Sequence, residues 1–128
     1  MNGSNRHLPN PAPIDAYGNG GFRFAGMSHR GSLLCLPNGI WASDVKSVDE
    51  IDEAALALVL NPATPEAMID HFLIGAGRDF PAMPSSLREA FRARRIALEA
   101  MTTGAAVRTY NILLGERRRI GALLVAVE

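Results

Sequence analysis

Ile69-Asp70-His71-Phe72-Leu73-Ile74 runs into Gly75-Ala76-Gly77-Arg78-Asp79, and Ile96-Ala97-Leu98-Glu99-Ala100-Met101 runs into Thr102-Thr103-Gly104. Each pair is a short, largely apolar run closed by a polar loop containing glycine, which reads as a strand leading into a helix. Between them, Ser86-Leu87-Arg88-Glu89 has the form of a capping box and opens a helix through about Arg94. A second helix starts after Thr103 and runs to about Glu116, with Val107, Tyr110, Leu113 and Leu114 on its apolar side. Ile120 to Val127 is almost wholly apolar, the composition of a strand covered on both faces and therefore central in its sheet. A strand-helix-strand crossover makes its two strands parallel, so the 75–79 and 102–104 loops share one sheet edge. Ligands and partners of such sheets meet the protein at that edge.

Working outward from this core, the first half predicts an antiparallel meander. Phe22 and Phe24 alternate with Arg23 as in a half-buried strand. Gly31 to Leu36 and Ile40 to Ala42 flank Pro37-Asn38-Gly39, and Asn-Gly between apolar runs signals a hairpin because both residues tolerate positive φ. Ser47-Val48-Asp49-Glu50 is another capping box, and Ile51, Ala54, Ala55, Leu58 and Val59 follow helical spacing, predicting a helix ending near Asn61-Pro62. Thr64-Pro65-Glu66 leaves room for a single turn. Residues 1–20 hold Pro9, Pro11 and Pro13 with Gly3, Gly18 and Gly20, the composition of a flexible arm or an extended strap whose end Ile14 and Tyr17 would anchor. The expected fold is one three-layer α/β domain over residues 21–128, a mixed central sheet built from an N-terminal β-meander and a β-α-β-α-β second half.

Composition narrows the function classes. The 128 residues are 48% hydrophobic and 20% charged, and 13 basic side chains balance 13 acidic ones, so no overall field selects nucleic acid or anionic lipid. All the basic residues but Lys46 are arginine. Cys35 is the only cysteine, which excludes an internal disulfide and a Cys-rich metal site. No stretch reaches the roughly 18 apolar residues of a membrane span, and the N-terminus lacks an apolar signal core. The expectation is a soluble protein of the cytoplasm, with a peripheral place at the inner face of a membrane as the alternative.

No set of residues names a reaction. Gly75 and Gly77 would let backbone amides approach an anion, yet Phe80 breaks a Gly-x-Gly-x-x-Gly pattern, and a tight strand-to-loop turn explains them equally. Thr102, Thr103 and Gly104 offer a helix start that either caps the helix or holds a carboxylate or phosphate, with Arg78 supplying charge and Asp79 beside it. Arg108 and Asn111 share a helix face, and Arg108 either points to this pocket or pairs with Glu99 or Asp79. Together Gly75, Gly77, Arg78, Asp79, Thr102, Thr103, Gly104 and Arg108 form the candidate ligand pocket. Ser32 and His29 suggest a nucleophilic pair, but no third group and no Gly-x-Ser-x-Gly elbow accompany them, so no catalytic residue is assigned. His7, His29 and His71 are scattered, and no metal site or cofactor is expected. Arg92-Ala93-Arg94-Arg95 and Arg117-Arg118-Arg119 read as helix-end cations, or as a patch for an acidic partner or a membrane surface.

Several pieces carry a resemblance when taken in order: Phe24-Ala25-Gly26-Met27-Ser28-His29-Arg30-Gly31-Ser32, Leu73-Ile74-Gly75-Ala76-Gly77, Leu87-Arg88 with Ile96-Ala97-Leu98-Glu99, and Thr103-Gly104-Ala105-Ala106-Val107-Arg108-Thr109-Tyr110-Asn111-Ile112-Leu113. Over about residues 20–127 the chain resembles a domain-of-unknown-function family of small α/β proteins. Its eukaryotic relatives include a mitochondrial assembly factor for respiratory complex I. That resemblance implies a non-enzymatic binding protein, an accessory or assembly factor with a protein partner in a membrane complex. In the family the first glycine loop is commonly Gly-Thr-Gly, so Ala76 lacks a hydroxyl found there. Two other classes stand beside this one: a small-ligand binder or enzyme using loops 75–79 and 102–104, and a membrane-surface protein held by its arginines. The N-terminal arm is free to dock on a partner or on a second copy.

Overall fold

The computed structural model describes residues 6–78, 83 and 85–128. Among the described residues nine strands make two sheets: β1 (Arg6–Leu8), β2 (Ala16–Gly18), β3 (Gly21–Phe24), β4 (Met27–Arg30), β5 (Ser32–Leu36), β6 (Gly39–Ser43), β7 (His71–Gly75), β8 (Ala97–Met101) and β9 (Ile120–Leu124). The helices are α1 (Ala57–Leu60), α2 (Ser85–Ala93) and α3 (Thr103–Gly115). The main sheet runs β1-β6-β5-β9-β7-β8, and β2-β3-β4 form a separate three-stranded sheet. β7 is parallel to both β8 and β9, while β5 is antiparallel to β6 and β9, so the sheet is mixed. β9 is the seam between the halves, in keeping with its continuous apolar sequence.

Three layers result. One face of the sheet, with Leu34, Phe72, Ile74 and Leu123, is covered by residues 45–60 and α2. The other, with Leu33, Cys35, Leu73 and Ala122, is covered by α3 and the small sheet through Phe22 and Phe24. Gly75 sits where β7 meets α3: a Cβ there would come within 3.0 Å of both Ala106 Cβ and Thr103 Cα, so its missing side chain sets the helix-to-sheet spacing.

Three local expectations need correction. Residues 47–60 are not one helix. Ser47 makes no side-chain cap, Glu50 accepts from the Lys46 amide at 2.7 Å, and after a 3-10 turn at Val48–Glu50 the chain extends at Ile51 (φ −79, ψ 112). Asp52 then accepts from the Ala55 amide at 2.8 Å and starts a new turn leading to α1. The buried set is Ile51, Leu56, Val59 and Leu60, a spacing that a continuous helix would not bury together. Second, the 32–43 hairpin forms, but Leu36 pairs Gly39, so Pro37-Asn38 occupy the loop positions and only Gly39 (φ +151) of the Asn-Gly pair has positive φ. Third, Phe22 and Phe24 belong to the small sheet rather than the central one. Residues 6–20 run as an extended strap along the domain. β1 pairs β6, β2 pairs β3, and Ile14 is buried between them.

Candidate functional site

The carboxyl ends of β7 and β8 finish side by side, in register from His71 opposite Ala97 to Gly75 opposite Met101. The loops that follow are stitched directly to each other. Ala76 N–H donates to Met101 O (2.8 Å), and Thr103 N–H donates to Gly77 O (2.9 Å). Thr103 Oγ1 accepts from Gly77 N–H (2.9 Å) and donates to Val125 O (2.6 Å), which ties the loops to the end of β9. Thr103 is fully buried, so its hydroxyl acts inside the fold as a three-way staple. Thr102 is the N-cap of α3, its hydroxyl accepting from Ala105 N–H at 3.4 Å. Tyr17 of the strap lies against Gly104, close enough that a Cβ there would overlap its hydroxyl.

The candidate pocket residues therefore fall into three groups. Gly75, Gly77, Thr102 and Thr103 come together, with Gly104 beside them under Tyr17. Arg78 is bound elsewhere, its Nη2 donating to Glu128 O at 2.6 Å. Arg108 is exposed on α3, while Glu99 bonds His71 instead, with Oε1 2.8 Å from Nε2. Asp79 lies outside the described residues. Gly77 and Arg78 border a hollow of about 420 Å³ that also includes Lys46, Val48 and Glu128. A larger hollow of about 740 Å³ continues past Lys46 and Glu128 to His29, Asp44 and Glu50. Sequence reasoning missed Lys46 as a neighbour of the loops; its one signal was being the only lysine.

Two of the three histidines form a pair, and the third, His71, is the partner of Glu99. His7 Nε2 lies 3.0 Å from His29 Nδ1, and His29 Nε2 is 3.2 Å from the Ser32 backbone oxygen. Partial burial, and then the neighbouring His7, lowers the His29 pKa, against a smaller rise from the Ser32 bond. Ser32 Oγ accepts from Ala126 N–H at 3.0 Å, so serine and histidine are engaged separately and do not form a nucleophile and base. Burial pushes the Cys35 thiol up to about 12, against a smaller lowering by the neighbouring Tyr110 hydroxyl, which leaves it an inert core group. Burial likewise raises the Tyr110 hydroxyl. That hydroxyl donates to Ala12 O (3.3 Å), and Asn111 clasps Ile14 by accepting its N–H (2.8 Å) and donating to its C=O (2.9 Å). The Tyr110-Asn111 pair thus holds the strap to α3, a role that helical spacing alone does not reveal. Arg94 donates to Leu60 O and Ala90 O, and Arg119 to Pro65 O, so both bind backbone carbonyls.

Residues 14–125 match the model of a protein family of unknown function, DUF498/DUF598. The chain belongs to that family. An uncharacterised protein of Rhodobacter capsulatus is 38% identical over 113 residues, covering 88% of this chain and 83% of that one. The human NADH dehydrogenase [ubiquinone] 1 alpha subcomplex assembly factor 3 is 32% identical over 114 residues, covering 88% of this chain but 59% of the human protein. The crystal structure of an outer membrane protein from Bartonella henselae superposes with a TM-score of 0.86 at 48% identity, covering 95% of this chain and all of that one. The match to the human assembly factor thus covers most of this chain. No helix among the described residues is long and apolar enough to cross a membrane.

Proposed function

We propose that this DUF498/DUF598 domain is a protein-binding accessory factor acting in the assembly of a membrane-bound respiratory complex, peripheral to the membrane and without catalysis of its own. The observation that carries the reading is the likeness to complex I assembly factors along nearly the full domain. Further support comes from the loop edge. The Thr103 hydroxyl and the Gly77 amide satisfy each other, so the groups that would cradle an anion are already engaged. The test is co-purification from native membranes in mild detergent. A stable complex containing subunits of a respiratory enzyme is expected, and a chain recovered alone overturns the proposal.

A second reading is favoured by the hollow lined by both Arg78 and Lys46 beside Gly77. There a small carboxylate or phosphate compound would be held by two cations, outside the Thr103 staple. A thermal-shift screen separates the readings, because a ligand at about 100 times its Kd adds roughly 2.7 kcal/mol. A shift lost in Arg78→Ala supports the ligand site; a flat screen together with a membrane partner supports assembly.

A further inference from the structure

The two edges of the main sheet are finished differently. At one, β1 is three residues long, its register is broken between Arg6 and Leu8, and the Arg6 guanidinium lies 5.4 Å from the Trp41 ring centre and bonds the Leu8 and Pro9 oxygens. A short, irregular edge whose own arginine covers its carbonyls offers little to an incoming strand. At the other, β8 runs five residues in unbroken register with β7, without proline, glycine or bulge. Ala97 N–H donates to Asp70 O (2.9 Å) and Met101 O accepts from Ala76 N–H (2.8 Å). By the alternation of a parallel ladder, Ala97, Glu99 and Met101 face β7, and the N–H and C=O of Leu98 and Ala100 point off the sheet. No strand among the described residues pairs with them.

The strip above this edge is uncovered too. α3 lies over β7 and β9 and reaches β8 mainly where Thr109 Oγ1 meets Met101 Sδ at 3.8 Å. Helical spacing puts Ala105 and Ile112 on the same side as Thr109, and Ile112 is 61% exposed. Ala97 and Glu99 are exposed on that face, while the Leu98 and Ala100 side chains anchor the strand in the opposite layer.

We propose that the β8 edge adds a strand from a partner protein: an extended segment with a lysine or arginine opposite Glu99 and an apolar residue two positions away to cover Ile112. Glu99, whose Oε1 lies 2.8 Å from His71 Nε2 while its side chain stays 56% exposed, selects this occupant over a second copy of the chain. Antiparallel self-pairing that uses every outward group sets Leu98 against Ala100 of the copy, which places the two Glu99 carboxylates directly opposite in a close, non-hydrogen-bonded pair. Like charges there disfavour the homodimer, whereas a basic residue gains an ion pair and its backbone gains the free Leu98 and Ala100 groups. This deepens the partner-binding proposal by giving it a surface.

The probe is a capped synthetic peptide, Thr-Val-Thr-Lys-Thr-Val-Thr, with its counterpart carrying glutamate at the centre. Titration into the 15N-labelled domain is expected to shift the Leu98 and Ala100 amides, with the lysine peptide binding about tenfold more tightly than the glutamate one. Glu99→Lys should reverse that ranking. Ala100→Pro, which removes an outward donor and no bond to β7, should abolish binding while the remaining spectrum persists. Shifts centred elsewhere, no ranking between the peptides, or no binding by either would overturn the proposal. A membrane-purified partner that leaves Leu98 and Ala100 exchanging freely would also overturn this surface while leaving the partner-binding reading intact.

Discussion

On one face of the central sheet a single thirteen-residue helix, α3, shares the cover with the small sheet, while on the other the cover is assembled from a 3-10 turn, the four-residue α1 and α2. α3 carries its own periodicity, with Ala106, Val107 and Tyr110 buried on one side and Asn111 turned to the strap. The pieces on the opposite face lie in conformations set by the sheet beneath them, since none is long enough to be stable alone. A thirteen-residue helix with one continuous buried stripe and shorter segments shaped by what they cover should respond differently when contacts are removed.

The largest expected effect is on the face made of pieces. Phe91 of α2 is fully buried and stacks on Phe72 of β7 with ring centres 5.3 Å apart. Phe91→Ala should cost about 3–5 kcal/mol in denaturant unfolding. Hydrogen exchange should rise together in α2 and in residues 51–60, because both rest on the same cluster. A loss under about 1.5 kcal/mol, the scale of a well-accommodated core change, would break the comparison by showing that this face holds itself together locally.

The α3 face is probed at Asn111. Asn111→Ala removes both bonds to Ile14, and a loss of about 1–3 kcal/mol is expected, with faster exchange concentrated at residues 12–18. Exchange rising through α3 itself would mean that the strap organises the helix and not the reverse. The distinction sharpens the comparison, because the helix is expected to survive loss of its neighbour while the strap is not.

How much of this was legible follows the same division. The β7, β8, α3 and β9 segments were readable because apolar period and glycine or threonine punctuation agree locally, and the parallel order of β7 and β8 follows from the crossover between them. The 47–60 segment carried the right residue types in a helical pattern, yet Ile51, Leu56, Val59 and Leu60 are buried by the sheet beneath, which no local pattern encodes. The candidate site divides likewise. That loops 75–78 and 102–104 meet was readable from topology, but the engagement of Thr103 with Val125 links residues 22 positions apart and depends on where β9 ends. The Arg78 contact with Glu128 spans 50 positions and left no trace in either loop.

The smallest effects lie at the two helix starts that look most alike in sequence. Ser47-x-x-Glu50 has the better motif, yet Ser47 caps nothing and Glu50 reaches past it to the Lys46 amide. Thr102 has no acidic partner three residues on, yet it holds the Ala105 amide, at 3.4 Å. Thr102→Ala should therefore cost about 0.5–1 kcal/mol, the low end for a cap because the bond is long, and Ser47→Ala should stay within about 0.5 kcal/mol of the parent by thermal or chemical unfolding. The reverse order would mean that the capping box forms in solution and that residues 47–60 have a helix-forming tendency of their own. In that case the two faces of the sheet would differ in length of cover and not in kind.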